Sequence, residues 1–140
     1  MAEITKAKLI ELSEAKLADA KLLLDAGRSG NAYYLAGYAV ELMLKAILSG
    51  QFKADTIPDR TLTRDIFVHD LAKLMRLANL EDALKRQLDL EVRFDSYWRT
   101  VLIWDQASRY DNAGVDDAAQ LIRAIDDPTH GVLQWLRRKL

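Results

Sequence analysis

The sequence predicts an all-α protein, and three observations support that prediction. Apolar residues recur at helical spacing over most of the chain, no stretch has the convincing pattern of a strand, and only two prolines and six glycines interrupt the 140 residues. Half of the residues are hydrophobic and 29% are charged, which is ordinary for a folded globular protein. A chain of this length fits one hydrophobic core, so residues 1–140 are predicted to form a single domain.

The first two predicted helices cover residues 5–26 and 32–48. Gly27 is placed to end the first helix in a left-handed conformation, which glycine adopts without strain. The second helix is apolar nearly all round and ends before Gly50. A helix with this pattern is typical of the centre of a bundle.

The connection over residues 51–68 has no helical periodicity, and Pro58 cannot lie in a helix interior. Connections of this length in compact domains are often functional or disordered. A short helix is predicted over HDLAKLMRLA, residues 69–78.

The second half of the chain predicts three further helices. One long helix begins at residue 80 or 81 and reaches about residue 107, and RYDNAG then forms a connection. The next helix covers residues 114–125. Asp127 and Pro128 match an N-cap followed by proline at the first helical position, so a separate terminal helix is predicted there. The whole chain is predicted to form an up-and-down bundle of about five or six helices.

The composition argues against several kinds of site. Without cysteine, the chain cannot form disulfides, thiolate nucleophiles or cysteine metal sites. With two histidines and no clustered histidine–carboxylate pattern, we expect no metal site and no cofactor. The net charge of -1 gives no overall basic footprint for nucleic acid, although a local basic patch remains open. The apolar run 32–48 is short for a membrane span and carries two charges, so we expect a cytoplasmic protein without membrane contact.

Four polar or aromatic residues form a stripe on the predicted central helix. Tyr34, Tyr38, Glu41 and Lys45 are spaced four, three and four residues apart, so they share one face. Glu41 precedes Lys45 by one turn, which is the favourable order for an ion pair. The charges either extend outward at the edge of the bundle or face a ligand groove or a second subunit.

Three short motifs, taken in order, resemble the HEPN domain family, small helical domains often encoded beside minimal nucleotidyltransferases. The motifs are A-x-E-x-x-L-K-A at residues 39–46, His69-Asp70-Leu71, and Arg109-Tyr110-Asp111. The resemblance covers most of the chain and implies an up-and-down bundle that usually forms a homodimer. It also implies two branches. One comprises metal-independent RNases, commonly toxins, marked by arginine and, four to six residues later, histidine; the other lacks this motif and serves as a partner or as an RNA- or nucleotide-binding module.

Two residue pairs match the loose spacing of the nuclease motif. They are Arg64 with His69, and Arg123 with His130. A histidine can exchange a proton with the ribose 2′-hydroxyl, and a guanidinium can hold the phosphate. The nuclease motif of the family lies late in the fold, whereas Arg64 lies in the long connection. Arg64 and His69 are the candidate catalytic pair, and the alternative for His69 is a structural hydrogen bond to the connection at the start of a helix.

The motif at residues 109–111 also has two interpretations. In the first, Asp111 caps the turn and Tyr110 packs against the bundle. In the second, which the family resemblance keeps open, Arg109 lies beside Glu41 or Tyr34 at a polar groove. Arg109, Tyr110 and Asp111 therefore join the four residues of the central helix as candidate ligand-binding residues.

The sequence thus predicts a HEPN-type, non-catalytic binding or partner module that acts with a nucleotidyltransferase or binds RNA or a nucleotide. Exposed residues Tyr97, Trp98 and Ile103 are predicted to supply a homodimer contact. The alternative is a metal-independent, toxin-like endoribonuclease that uses Arg64 as phosphate clamp and His69 as general acid/base. A purely structural subunit is the third possibility, and a fully packed polar face on the central helix would favour it.

Overall fold

The computed structural model describes residues 3–110 and 112–140, and at position 109 the backbone alone. These residues form eight α-helices, one 3₁₀ helix and no strand, which confirms the all-α prediction. No helix within the two described ranges is both long and apolar enough to cross a membrane. In chain order the elements are α1 (Lys6–Asp25), α2 (Ser29–Ser49), α3 (Arg60–Asp65), α4 (Leu71–Leu77), α5 (Glu81–Leu90), α6 (Val92–Ile103), the 3₁₀ helix (Gln106–Tyr110), α7 (Val115–Asp126) and α8 (Val132–Arg137).

Helices α1 and α2 form the predicted pair. Thr5 begins α1 as its N-cap, because its side chain accepts the backbone N–H of Lys8 at 3.1 Å. Gly27 lies between the helices with φ +78°, as predicted from its position. The buried hydroxyl of Ser13 donates to the carbonyl of Ala39 at 2.6 Å, so a polar contact joins the two helices inside the core.

Helix α2 is the centre of the bundle, as its apolar composition predicts. It packs against α1, α4, α7, α8 and the 3₁₀ helix. Gly37 allows one especially close approach, because a Cβ at this position would overlap the indole ring of Trp104. The ring therefore occupies space that any other residue type at position 37 would need.

The long connection contains an unpredicted helix and is tied together at its base. Asp59 caps the six-residue α3 by accepting the N–H of Thr61 at 2.8 Å. At the base, the side-chain amide of Gln51 donates to the carbonyl of Ala78, and Asn79 Nδ2 donates to Gln51 Oε1 at 3.3 Å. These contacts join the first residue of the connection to the C-terminal end of α4.

The single long helix predicted for residues 80–107 is wrong. Glu91 adopts an extended conformation, with φ -131° and ψ 109°, and separates α5 from α6, which pack against each other. Helix α6 ends at Ile103, and Trp104 is extended at φ -69° and ψ 140°. The apolar spacing continues across both breaks, but the chain leaves the helix at Trp104, whose indole packs against Gly37 of α2.

The segment after α7 begins with the predicted cap at Asp127, but it does not continue as the single terminal helix that the sequence predicts. Asp127 accepts the N–H groups of Thr129 and His130 at 2.9 and 3.1 Å, as an N-cap does. Only one turn follows, closed by Gly131 N–H on the carbonyl of Asp127 at 2.9 Å. Gly131 is then extended, and α8 begins at Val132. With α3 and the break at Glu91, the described residues contain eight α-helices instead of the predicted five or six.

The predicted dimer contact is also corrected in part. Tyr97 and Trp98 are buried within the bundle, so they are not available to a second subunit. Of the three residues predicted for this contact, Ile103 alone is exposed. Tyr97 instead donates from its hydroxyl to Asp127 Oδ2 at 2.9 Å, which fastens α6 to the start of the α7–α8 connection.

Candidate functional site

The carboxylate of Glu41 is fully buried and has two basic partners. Its side chain is 0% exposed, Lys45 Nζ donates to Oε2 at 3.2 Å, and His69 Nδ1 lies 3.1 and 3.0 Å from Oε1 and Oε2. The Lys45 side chain is 15% exposed and that of His69 37%. The outward-facing alternative is therefore wrong for Glu41, whereas the predicted pairing with Lys45 is present.

The start of α4 positions His69. Asp70 is the N-cap of α4, since its carboxylate accepts the N–H of Lys73 at 2.9 Å. His69 immediately precedes this cap, outside the helix, and contacts α2 through Glu41. The predicted structural hydrogen bond of His69 thus exists, but its partner lies on the central helix and not in the connection.

This geometry turns one nitrogen of the imidazole ring towards Glu41. Nδ1 of His69 is the ring nitrogen within hydrogen-bond distance of both carboxylate oxygens. Nε2 makes no hydrogen bond to any residue in the described part of the chain. The ring can therefore accept a hydrogen bond through Nε2 when neutral, or donate one when protonated.

An aromatic row extends the polar stripe of α2. Tyr34 and Tyr38 meet edge to face with their ring centroids 5.9 Å apart, and Tyr34 stacks on Trp104 at 6.3 Å. Lys16 Nζ lies 5.9 Å from the centroid of the Tyr38 ring. Burial raises the pKa of Tyr38, and the nearby charges of Glu41 and Tyr34 raise it further. The four stripe residues therefore lie together, as their spacing predicts.

A hollow of about 440 Å³ opens beside His69, and we call it the first hollow. It is lined by residues 69–72 at the start of α4 and by residues 102 and 104–107 at the end of α6 and in the 3₁₀ helix. Its polar groups include the exposed carboxylates of Asp70 and Asp105. Trp104 forms part of the wall, and its buried Nε1 has no hydrogen-bond partner among the described residues. The first hollow thus combines apolar walls, one imidazole and two acidic groups.

Neither predicted arginine–histidine pair is joined by an ion pair or hydrogen bond within the described residues. Arg64 lies on α3 with its side chain 75% exposed, and its Nε is 3.5 Å from Asp65 Oδ1. Arg123 lies in the last turn of α7. His130 is occupied elsewhere, because its Nδ1 lies 2.7 Å from Glu91 Oε2.

Only part of the motif at residues 109–111 is described. Asp111 and the side chain of Arg109 lie outside the described residues. Tyr110 is 78% exposed, so its ring does not pack into the bundle as the first interpretation requires. Among the residues that are described, no three histidine or carboxylate side chains gather as a metal site.

Comparison of the chain with protein-family models, curated proteins and solved structures finds no match. The resemblance to the HEPN family therefore remains a prediction.

Of the residues that line the first hollow, the sequence predicts only His69 as a site residue, and Leu102, Trp104 and Asp105 are among those that it misses. They lie in the last turn of α6 or just after it, where the sequence indicates a continuous helix. The contact between His69 and Glu41 is also missed, because the two residues are 28 positions apart in the chain and no local spacing pattern relates them. One signal points towards it, because a carboxylate in a helix that is apolar all round requires a partner from another element.

Proposed function

We propose that this chain is a HEPN-type, non-catalytic binding module whose contact site is the first hollow. The observation that carries the proposal is the buried carboxylate of Glu41, which holds His69 at the wall of that hollow. A recognition group fixed in this way loses little conformational freedom when a partner binds. The same contact sets the orientation of the ring.

The charges around the first hollow favour a protein partner over a phosphate-bearing ligand. Asp70 and Asp105 are both exposed there and repel a phosphate, whereas Arg64, the predicted phosphate clamp, pairs with Asp65. A protein segment with lysine or arginine beside an apolar side chain complements these features. The resemblance to the HEPN family makes a nucleotidyltransferase one candidate for that partner, and the homodimer remains a prediction.

Selection from a displayed peptide library tests this proposal. Leu102 is exposed at the first hollow, so Leu102→Asp removes its apolar contact without opening the core. Leu90→Asp is the matched control, because Leu90 is an exposed leucine at the end of α5 and does not line the hollow. We expect cationic, apolar peptides to bind the native protein and Leu90→Asp, and to lose at least about tenfold in affinity on Leu102→Asp.

Two results would overturn the proposal. One is selected peptides that bind Leu102→Asp as tightly as the native protein. The other is direct binding of a single-stranded RNA oligonucleotide or ATP that His69→Ala abolishes, since the hollow would then be a nucleotide or RNA site. The folded state of each variant is checked by its far-ultraviolet circular dichroism.

A metal-independent endoribonuclease is the second candidate, and the orientation of His69 favours it. A carboxylate on Nδ1 leaves Nε2 to take the proton of a ribose 2′-hydroxyl. The 2′-oxygen then attacks the adjacent phosphate and breaks its bond to the 5′-oxygen of the next nucleotide, which leaves as an alcohol by taking up a proton, and a 2′,3′-cyclic phosphate remains. Labelled RNA in excess chelator tests this activity in the native protein, His69→Ala and Arg64→Ala, with His130→Ala as the control histidine variant. The binding proposal predicts no cleavage by any of them. If the native protein cleaves RNA and His69→Ala is the only variant that does not, the nuclease replaces the binding module as the proposed function.

A further inference from the structure

We infer that Asp105 is the residue that selects the cationic side chain of the partner, and that Asp70, which lines the same hollow, is not. This inference rests on the proposed function and adds the group that determines its charge specificity. It comes from the different ways in which the protein itself uses the two carboxylates.

The carboxylate of Asp70 already has a structural role. It accepts the N–H of Lys73 at 2.9 Å and so caps α4. Asp59 caps α3 in the same way, and Asp127 caps the turn that follows α7. At all three positions, an aspartate uses a carboxylate oxygen to bind the backbone of the segment that follows it.

Asp105 precedes the 3₁₀ helix Gln106–Tyr110, but its carboxylate makes no hydrogen bond or ion pair with any residue in the described part of the chain. Ser108 closes this turn instead. Its hydroxyl accepts the N–H of Asp105 at 3.3 Å, and its own N–H donates to the carbonyl of Asp105 at 3.0 Å. The turn is therefore held through the backbone of Asp105, and its exposed carboxylate is left for a ligand.

The neighbours of Asp105 fix its place at the wall of the first hollow. The indole of Trp104 packs against Gly37 of α2 and stacks on Tyr34 with 6.3 Å between the ring centroids. This buried ring anchors the chain on one side of Asp105, and the turn at Ser108 closes it on the other. A charged group on a backbone held in this way loses little conformational freedom when a partner binds.

The charges at the first hollow favour a cation at Asp105. Among the described residues, its lining includes no lysine or arginine, and the imidazole of His69 already faces Glu41. An ammonium or guanidinium group that enters the hollow therefore meets an unpaired carboxylate at Asp105. The carboxylate of Asp70 is the weaker partner, because the N–H group that it accepts already offsets part of its charge.

Selection from one displayed peptide library on four proteins tests this assignment. The proteins are the native chain, Asp105→Asn, Asp105→Lys and Asp70→Asn. Asp70→Asn is the matched control, because it removes the same charge from the same hollow and asparagine caps a helix about as well as aspartate does. The measurement is the frequency of cationic and of acidic residues in the selected peptides, relative to the starting library. Far-ultraviolet circular dichroism checks that each variant is folded.

We expect the native protein and Asp70→Asn to enrich lysine and arginine, and Asp105→Asn to lose this enrichment. Asp105→Lys should enrich aspartate and glutamate instead, a reversal that a purely structural role of Asp105 would not produce. Peptides selected on the native protein should bind Asp105→Asn about threefold more weakly at low salt, since an exposed charge pair contributes modestly. This difference should shrink at high salt.

Three results contradict the assignment to Asp105 while the proposed site stands, provided that Leu102→Asp still weakens the selected peptides. The first is a native protein that selects apolar peptides without cationic enrichment. The second is cationic enrichment that Asp105→Asn keeps, and the third is enrichment that Asp70→Asn loses. If the native protein selects no peptide, or if Leu102→Asp binds the selected peptides unchanged, the proposed function fails and the assignment fails with it.

Discussion

Glu41 illustrates how one carboxylate can exist in an apolar environment. Taking its charge out of water is expensive, and two hydrogen-bonding partners offset part of that cost. Lys45 comes from the same helix one turn away, whereas His69 comes from the far end of the long connection. The buried charge of Glu41 thus depends on His69, a residue that lies outside the central helix at the end of the long connection.

Replacing Glu41 with glutamine is predicted to destabilise the protein by about 3 kcal/mol, the low end of the range for breaking a buried ion pair. The low end applies because Lys45 and His69 are partly exposed and keep some hydration. The free energy of unfolding is measured in urea. Glu11→Gln is the matched control, because Glu11 pairs with Lys8 on the exposed surface at 3.1 Å and should change stability by less than about 0.5 kcal/mol. Equal losses for the two variants would show that Glu41 gains nothing from its partners.

At the scale of the elements, the contact of α2 with Trp104 makes a second prediction. Gly37→Ala forces the indole or α2 to move and should cost about 1–3 kcal/mol, the usual range for overpacking. The loss should be much smaller in a Trp104→Ala background, where the ring that meets the new methyl group is gone. A double-mutant cycle in urea measures this coupling, and purely additive losses would contradict the proposed overlap.

The elements also show how far sequence reasoning reaches. Local signals predict α1, α2, α4 and α7 because their apolar periodicity, caps and glycines act within a few residues. The breaks at Glu91 and Trp104 are different, since the periodicity continues through both and tertiary packing decides the path of the chain. For the site, the shared face of Tyr34, Tyr38, Glu41 and Lys45 follows from helical spacing alone. The position of His69 beside Glu41 depends on how a long connection folds back, which no local spacing encodes.

At the scale of the whole molecule, a second histidine–carboxylate contact joins the break between α5 and α6 to the connection between α7 and α8. The His130 side chain holds the pKa of Glu91 below its ordinary value of 4.5, chiefly through the hydrogen bond between them. The backbone N–H groups of His130 and Thr129 likewise lower the pKa of Asp127 from 3.8, and the Tyr97 hydroxyl contributes to the same shift. Both carboxylates lie in or beside turns that end helices.

These lowered pKa values predict the direction of acid unfolding. A carboxylate with a depressed folded-state pKa stabilises the protein above its ordinary pKa, and this stability is lost as the pH falls through the folded value. His130→Ala removes the main cause for Glu91, so stability should fall less steeply between about pH 5 and pH 3. Urea unfolding over that range measures the slope. Arg86→Ala, an exposed change away from the contact, should keep the native slope; a native slope in His130→Ala would contradict the role of the contact.

The base of the long connection has a consequence for how this protein tolerates change in length. Gln51 and Asn79 fasten one end to the end of α4, and His69 fastens the other end to α2. The entropy of closing a loop grows only slowly with its length, so residues inserted between these anchors alter stability little. The exposed stretch around residues 53–58 is therefore the place where a tag or reporter segment can be built into the chain while the first hollow keeps its shape.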